Sequence, residues 1–137
     1  MDTIKVEHQL TGISGEFFVA AELAKRNYQV SLTLGNAKGI DLFAKNQITE
    51  STFEIEVKTL RKKPNCFTLN TKRISAKKIF VFVYLNEEGT PPDYFILTGE
   101  ELLADKKLYY GSSLDSNRET VNHGPIQKHK DCWNKLL

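Results

Sequence analysis

Asp41, Glu56 and Lys58 are the side chains of this sequence best suited to holding a divalent cation and steering a water molecule. The stretch FEIEVKTL, Phe53 to Leu60, reads as a strand. Alternation turns Phe53, Ile55 and Val57 to one face and Glu54, Glu56 and Lys58 to the other. A hairpin through the Lys45–Thr52 connection would join it to a strand at Ile40–Ala44, and one register of that hairpin sets Asp41 opposite Glu56 and Phe43 opposite Glu54. Directly opposed side chains carry their Cβ atoms about 4.5–5.5 Å apart. Two carboxylates at that range repel each other unless a proton or a cation lies between them. Mg²⁺ is commonly held by one or two carboxylates, with water and phosphate oxygens completing its shell. Lys58, one pleat beyond Glu56, could orient a metal-bound water or stabilise charge on a phosphorus-bound oxygen. Metal-assisted phosphodiester hydrolysis asks for that set. The plainer reading is a solvated strand face with a cross-strand ion pair and a turn acid after Gly39.

The surrounding pattern supplies elements to position these groups. Thr11 to Arg26 has helical spacing, with Ile13, Phe17, Ala20, Ala21 and Ala24 as its apolar stripe and Thr11 or Ser14 as its cap. Glu16 precedes Val19 and Leu23 by three and seven residues, at the edge of that stripe. Strands are expected at Tyr28–Leu34, Ile40–Ala44 and Phe53–Thr59, followed by a basic loop at Arg61–Asn65. Phe67–Leu69 could form a brief strand and Asn70–Lys78 a short helix or irregular segment. Lys78 to Leu85, KIFVFVYL, reads as a central strand buried on both faces. Asp93–Leu97 is a further strand, and Thr98-Gly99-Glu100-Glu101 has the form of a capping box opening a helix to about Lys106. Tyr110–Gly124 reads as loop and Ile126–Leu136 as a closing helix. The fold class is α/β, a mixed sheet with flanking helices in one domain spanning residues 1–137.

Gly39-Ile40-Asp41, then Glu56-Val57-Lys58 on the next strand, with Glu16 on an N-terminal helix, resembles the PD-(D/E)XK nuclease superfamily. The phrases GEFFVAAELAKRNYQV, GIDLFAK and EIEVKT look most like its small members related to Holliday-junction resolvases and intron-encoded endonucleases. The resemblance implies a restriction-endonuclease-like αβββαβ core, Mg²⁺ or Mn²⁺ dependence and cleavage of DNA, less often RNA. It also implies roles: Asp41 and Glu56 as metal ligands, Lys58 as the residue that assists the attacking water, and Glu16 as the helix acid that supports the metal. Isoleucine precedes Asp41 where the motif has proline, and no glutamine follows Lys58. A second Asp-x-Lys triplet, Asp105-Lys106-Lys107, has no acidic strand upstream of it.

Composition narrows the partners. The chain has 137 residues and a formal charge of +2, but between Val57 and Asn86 there is no acid and there are eight cations. Such a one-signed block favours polyanions. Arg61, Lys62, Lys63, Lys72 and Arg73 are the expected backbone-phosphate contacts, and surface solubility is the competing explanation. The rival reading of function is a catalytically inactive module of the same fold that binds nucleic acid or a protein through its basic 61–78 face. Cutting both strands of a duplex needs two sites, which makes a homodimer one expectation. No apolar run is long enough to cross a bilayer, the N-terminus lacks a signal-peptide layout, and Cys66 and Cys132 lie far apart. A cytoplasmic protein with two reduced thiols follows from that reading. His8, His123 and His129 have no metal or triad spacing, and Phe67 and Trp133 read as core.

Overall fold

The computed structural model describes the backbone from Asp2 to Leu137 and side chains from His8 onward. Helix α1 (Asp2–Lys25) leads into an antiparallel meander of β1 (Tyr28–Leu32), β2 (Leu42–Asn46) and β3 (Thr52–Leu60). A crossover containing β4 (Phe67–Thr68) and a 3₁₀ turn at Thr71–Arg73 returns the chain to β5 (Ile79–Tyr84), which runs parallel to β3. Strand β6 (Asp93–Thr98) pairs antiparallel with β5, so the main sheet is mixed and ordered β1-β2-β3-β5-β6. Helices α2 (Gly99–Ala104) and α3 (Lys106–Tyr110) follow. A short strand β7 (Thr120–Val121) pairs with β4, and α4 (His123–Ile126) precedes two 3₁₀ turns at the C-terminus. Among the described residues no helix is long and apolar enough to cross a membrane.

All six residues of β5 are buried, as its unbroken apolar run requires of a strand covered on both faces. On one face Ile79, Val81 and Val83 pack with Ile55, Val57, Val19 and Leu23 beneath α1. On the other, Phe80, Phe82 and Tyr84 pack with Phe67, Phe95, Leu97 and Leu102. Glu56 and Lys58 register with Phe80 and Phe82 across the parallel pair, so they share the second face. Thr98 closes the expected capping box with Glu101 at the start of α2. Phe67 and Trp133 are core residues, and both cysteines are free.

Several elements depart from the sequence reading, each for a local reason. Helix α1 begins at Asp2, so neither Thr11 nor Ser14 caps it. Its expected apolar stripe points outward: Ile13 and Phe17 are exposed, and the buried line is Gly15, Val19 and Leu23. The smallest residue chooses that face. A Cβ on Gly15 would lie 1.8 Å from Thr59 Oγ1, so the helix backbone lies directly on β3. The crossover follows the irregular alternative for Asn70–Lys78 and departs only from the helix that the αβββαβ resemblance implies: it contains β4 and the 3₁₀ turn, because Asn70 caps that turn and Ile74 leaves it extended. The closing helix Ile126–Leu136 does not form either. Asp131 adopts a positive φ of 54° and donates its N–H to Tyr94 O at 2.9 Å, while Lys130 bridges to Phe95. Pairing with the edge of β6 replaces helical hydrogen bonds there. Burying an extra methyl at the α1–β3 contact should be costly. Gly15→Ala is expected to lower stability by about 2–3 kcal/mol, read as a lower urea midpoint at unchanged slope.

Candidate active site

Strand β2 pairs with β3 from Leu42↔Ile55 to Lys45↔Thr52, and Phe43 stands opposite Glu54 as the hairpin spacing predicts. One further step of that ladder would bring Asp41 directly opposite Glu56. The chain instead steps aside. Asp41 N–H donates to Ile55 O at 2.9 Å, one residue off the ladder, and Asp41 Oδ2 accepts the Val57 N–H at 2.7 Å. The carboxylate thus takes the place of a backbone carbonyl beside β3, a bulge-like displacement of the kind that re-aims a side chain. From Val57 onward β3 continues without β2 beside it, and the sheet has a notch.

Acids from both faces approach this notch. Glu16 comes from α1, on the Val57 side, and is half-buried. Burial, followed by the charge of Asp41, raises its pKa to about 7. Burial likewise raises Asp41; the Val57 N–H opposes that shift and the charge of Glu56 adds to it. Asp41 is therefore the coupling point, felt by Glu16 from one face and feeling Glu56 from the other.

Glu56 is only 4 % exposed, so its part of the strand face is not simply wet; Glu54, two residues earlier, is exposed. Burial alone would raise the Glu56 pKa. Hydrogen bonding from Lys78 and the charge and hydrogen bond of Lys58 outweigh it and hold the carboxyl below its ordinary range. Lys58 Nζ lies 3.1 Å from Glu56 Oε2, and Lys78 Nζ lies 2.8 Å from Glu56 Oε1. Lys78 is the residue the sequence reading missed. Read as the opening residue of a buried strand, it is itself buried and also donates to Gly39 O at 2.5 Å. Only the crossover brings it 22 residues back to Glu56, and no local spacing signals that contact.

Asp41 and Glu56 are the carboxylates that could share a cation with water filling its remaining positions, but both oxygens of Glu56 are engaged by the Lys58 and Lys78 ammoniums. Among the described residues no three His, Cys, Asp or Glu side chains form a group able to hold a metal ion together. The faces explain this: Glu16 meets Asp41 from the α1 side, whereas Glu56 projects among Phe80, Lys58 and Lys78.

The basic block does not form one face. Because β5 is parallel to β3, the crossover carries the chain from one end of the sheet to the other. Arg61, Lys62 and Lys63 follow β3 at one end and line an open cleft of about 860 Å³ with Asn86 to Glu88 and Thr90 to Asp93. Arg61 Nε donates to Thr11 Oγ1 at 2.8 Å and Lys63 pairs with Asp93, while Lys62 is exposed. Lys72 and Arg73 are exposed on the 3₁₀ turn, and Lys78 is turned inward at the opposite end. The other lysine triplet is structural, since Asp105 caps α3 by accepting from Leu108 N–H. His129, unassigned from spacing, is buried between the Tyr109 hydroxyl at 2.9 Å and Lys135 Nζ at 2.7 Å.

The raised pKa of Glu16 has a stability consequence. The folded protein retains this proton up to about pH 7, whereas the unfolded chain loses it near 4.5. Between those values the native state binds more protons, so stability falls as pH rises. Glu16→Gln removes that loss. In metal-free buffer it is expected to gain about 1 kcal/mol over wild type above pH 7, after allowance for solvent screening, and nothing below pH 4. Denaturant melts across that range measure the difference.

No protein-family model, curated protein or solved structure matches the chain.

Proposed function

We propose that this protein is a metal-dependent endonuclease of the PD-(D/E)XK kind, hydrolysing phosphodiester bonds of nucleic acid, with DNA as its substrate. The observation that carries the reading is the notch between β2 and β3, where Asp41, coupled to Glu16 and Glu56, lies beside a strand that also presents Lys58. The restriction-endonuclease-like core is the finer fold assignment. It is supported by the order α1-β1-β2-β3 followed by β5 and β6 in one mixed sheet, with β4 and a 3₁₀ turn standing where that core has a helix.

Asp41 and Glu56 would hold Mg²⁺ or Mn²⁺, and Glu16 would support the ion from the helix side through water. Bound there, the ion would polarise a phosphoryl oxygen and make a bound water more acidic. Lys58 has the role nearest the reaction. Its ammonium is fixed by Glu56 yet reaches solvent, so it can orient the attacking water and steady charge on the phosphorus-bound oxygen. The Val57 N–H holds the Asp41 carboxylate in place before substrate arrives, so little reorganisation is required of it. Arg61, Lys62 and Lys63, after β3, and Lys72 and Arg73, on the crossover turn, would contact backbone phosphates as two separate groups, giving affinity that falls steeply with salt. Two-strand cleavage would use a homodimer.

One observation favours the rival reading of an inactive binding module: both oxygens of Glu56 are engaged by lysine ammoniums. The two readings separate in a single assay. Plasmid, branched and single-stranded DNA are incubated with the protein in Mg²⁺, Mn²⁺ or EDTA. Cleavage that requires the metal supports the enzyme, and metal-independent binding with intact DNA supports the module.

A further inference from the structure

Lys78 has two features that a plain ion pair does not need. Its ammonium joins Glu56 Oε1 at 2.8 Å to the carbonyl oxygen of Gly39 at 2.5 Å, linking β3 to the turn that delivers Asp41. The space for it depends on a glycine: Gly39 has a φ of +71°, and a Cβ there would lie 3.2 Å from Lys78 Nζ and 3.9 Å from Glu56 Oε1. The charge of this ammonium also reaches Asp41. It occupies the acidic side of the notch, buried, while Lys58 stands towards solvent on the other oxygen of Glu56.

We infer that Lys78 is a tethered counter-ion of the metal site: its ammonium neutralises the Asp41–Glu56 pair in the metal-free protein and is displaced when a divalent cation binds. The inference rests on the proposed metal role of those carboxylates. A singly charged ammonium and a divalent ion cannot share Glu56 Oε1 without strong repulsion, which at about 5 Å is large even at an effective dielectric constant near 20. The apo site is thereby kept from the mutual repulsion of its acids, at the expense of metal affinity. Lys78 is a positioning residue in this scheme, distinct from Lys58, which would face the reacting atoms.

Removing the tethered charge should therefore weaken the apo protein and strengthen metal binding. Lys78→Met is expected to lower the melting temperature in EDTA by roughly 5–10 °C. Millimolar Mn²⁺ should raise it more than it raises wild type, with a Kd for Mn²⁺ at least about tenfold lower by calorimetry. A second measurement uses the wild-type chain alone and does not depend on the variant folding. Amine acylation followed by mass spectrometry should show Lys78 labelling rise several-fold on addition of Mn²⁺, while Lys45, on the surface of β2, stays constant. If Mn²⁺ stabilises wild type but Lys78 labelling is unchanged or falls, the counter-ion is refuted and the metal site stands. A Lys78→Met variant that binds Mn²⁺ no more tightly than wild type refutes the counter-ion in the same way. If Mn²⁺ neither stabilises nor binds either protein, the metal site itself is refuted and the counter-ion with it.

Discussion

On the proposed nuclease reading, Asp41→Asn is expected to lower the rate of metal-dependent DNA cleavage by at least about a thousandfold while leaving the folded protein intact. The loss follows from the ion's share of the barrier: metal stabilisation of the transition state is worth several kcal/mol, and about 4 kcal/mol is a thousandfold in rate. The fold is spared because an asparagine oxygen can still accept the Val57 N–H that Asp41 Oδ2 accepts at 2.7 Å. Stability should be unchanged or slightly higher near neutral pH, since the replaced carboxyl has its pKa raised by burial and by the charge of Glu56. Lys58→Ala is expected to cost about 10²–10³ in rate with the DNA dissociation constant nearly unchanged, because its contribution is made to the reacting groups. Initial rates on the substrate that wild type cuts best, together with a melting curve for each variant, measure both effects. Full activity in Asp41→Asn would remove the metal site from the reaction.

The fold was legible wherever an element carried its own period. From Ile79 to Tyr84 strand β5 has no charged residue and is β-branched or aromatic throughout, so KIFVFVYL reads as a strand covered on both sides, and β3 showed its two faces by alternation. The C-terminal segment was not legible, because its path depends on partners far away in sequence. Asp131 turns its N–H to Tyr94 O, and Lys130 bridges to Phe95, because the edge of β6 is there to pair with them. Helix α1 misled for a different reason. Periodicity ranks residues by hydrophobicity, whereas close packing on Thr59 favoured Gly15 and turned Ile13 and Phe17 outward.

The site divides in the same way. Connection length sets hairpin register, so Phe43 opposite Glu54 could be worked out from the sequence, whereas the next expected pair, Asp41 opposite Glu56, does not form. The off-ladder step at Asp41 could not be worked out, because it arises when a side-chain carboxylate replaces a backbone acceptor at Val57. That step also decides where Glu16 meets the site. It brings Asp41 within reach of the α1 face and leaves Glu56 on the other. The basic block shows the converse limit: Arg61, Lys62 and Lys63, and Lys77 and Lys78, all in a stretch of sequence without acids, are carried to opposite ends of the sheet by a parallel crossover. Charge counted along the chain is not charge on a surface.

The second large effect is one of stability and belongs to Glu56. Glu56→Gln keeps the shape but leaves the Lys58 and Lys78 ammoniums, previously 3.1 and 2.8 Å from its two oxygens, facing a neutral amide. Removing one member of a buried ion pair costs about 3–5 kcal/mol, because the remaining charge stays desolvated. Lys78 dominates that cost, with its side chain 10 % exposed against 29 % for Lys58. The deficit is expected at about 3 kcal/mol near neutral pH, measured by urea denaturation in EDTA. Its pH dependence has a fixed direction. Glu56 is held below its ordinary pKa, so its contribution is complete above the usual carboxylate range and is lost as pH falls through the depressed folded-state value. Wild type and Glu56→Gln should therefore converge in acid. Glu56→Gln combined with Lys78→Met should recover most of the loss at neutral pH, since the double variant has no unpaired buried ammonium. A double-mutant coupling energy near zero would mean that Lys78 is not balanced by Glu56, and the network at the notch would have to be redrawn.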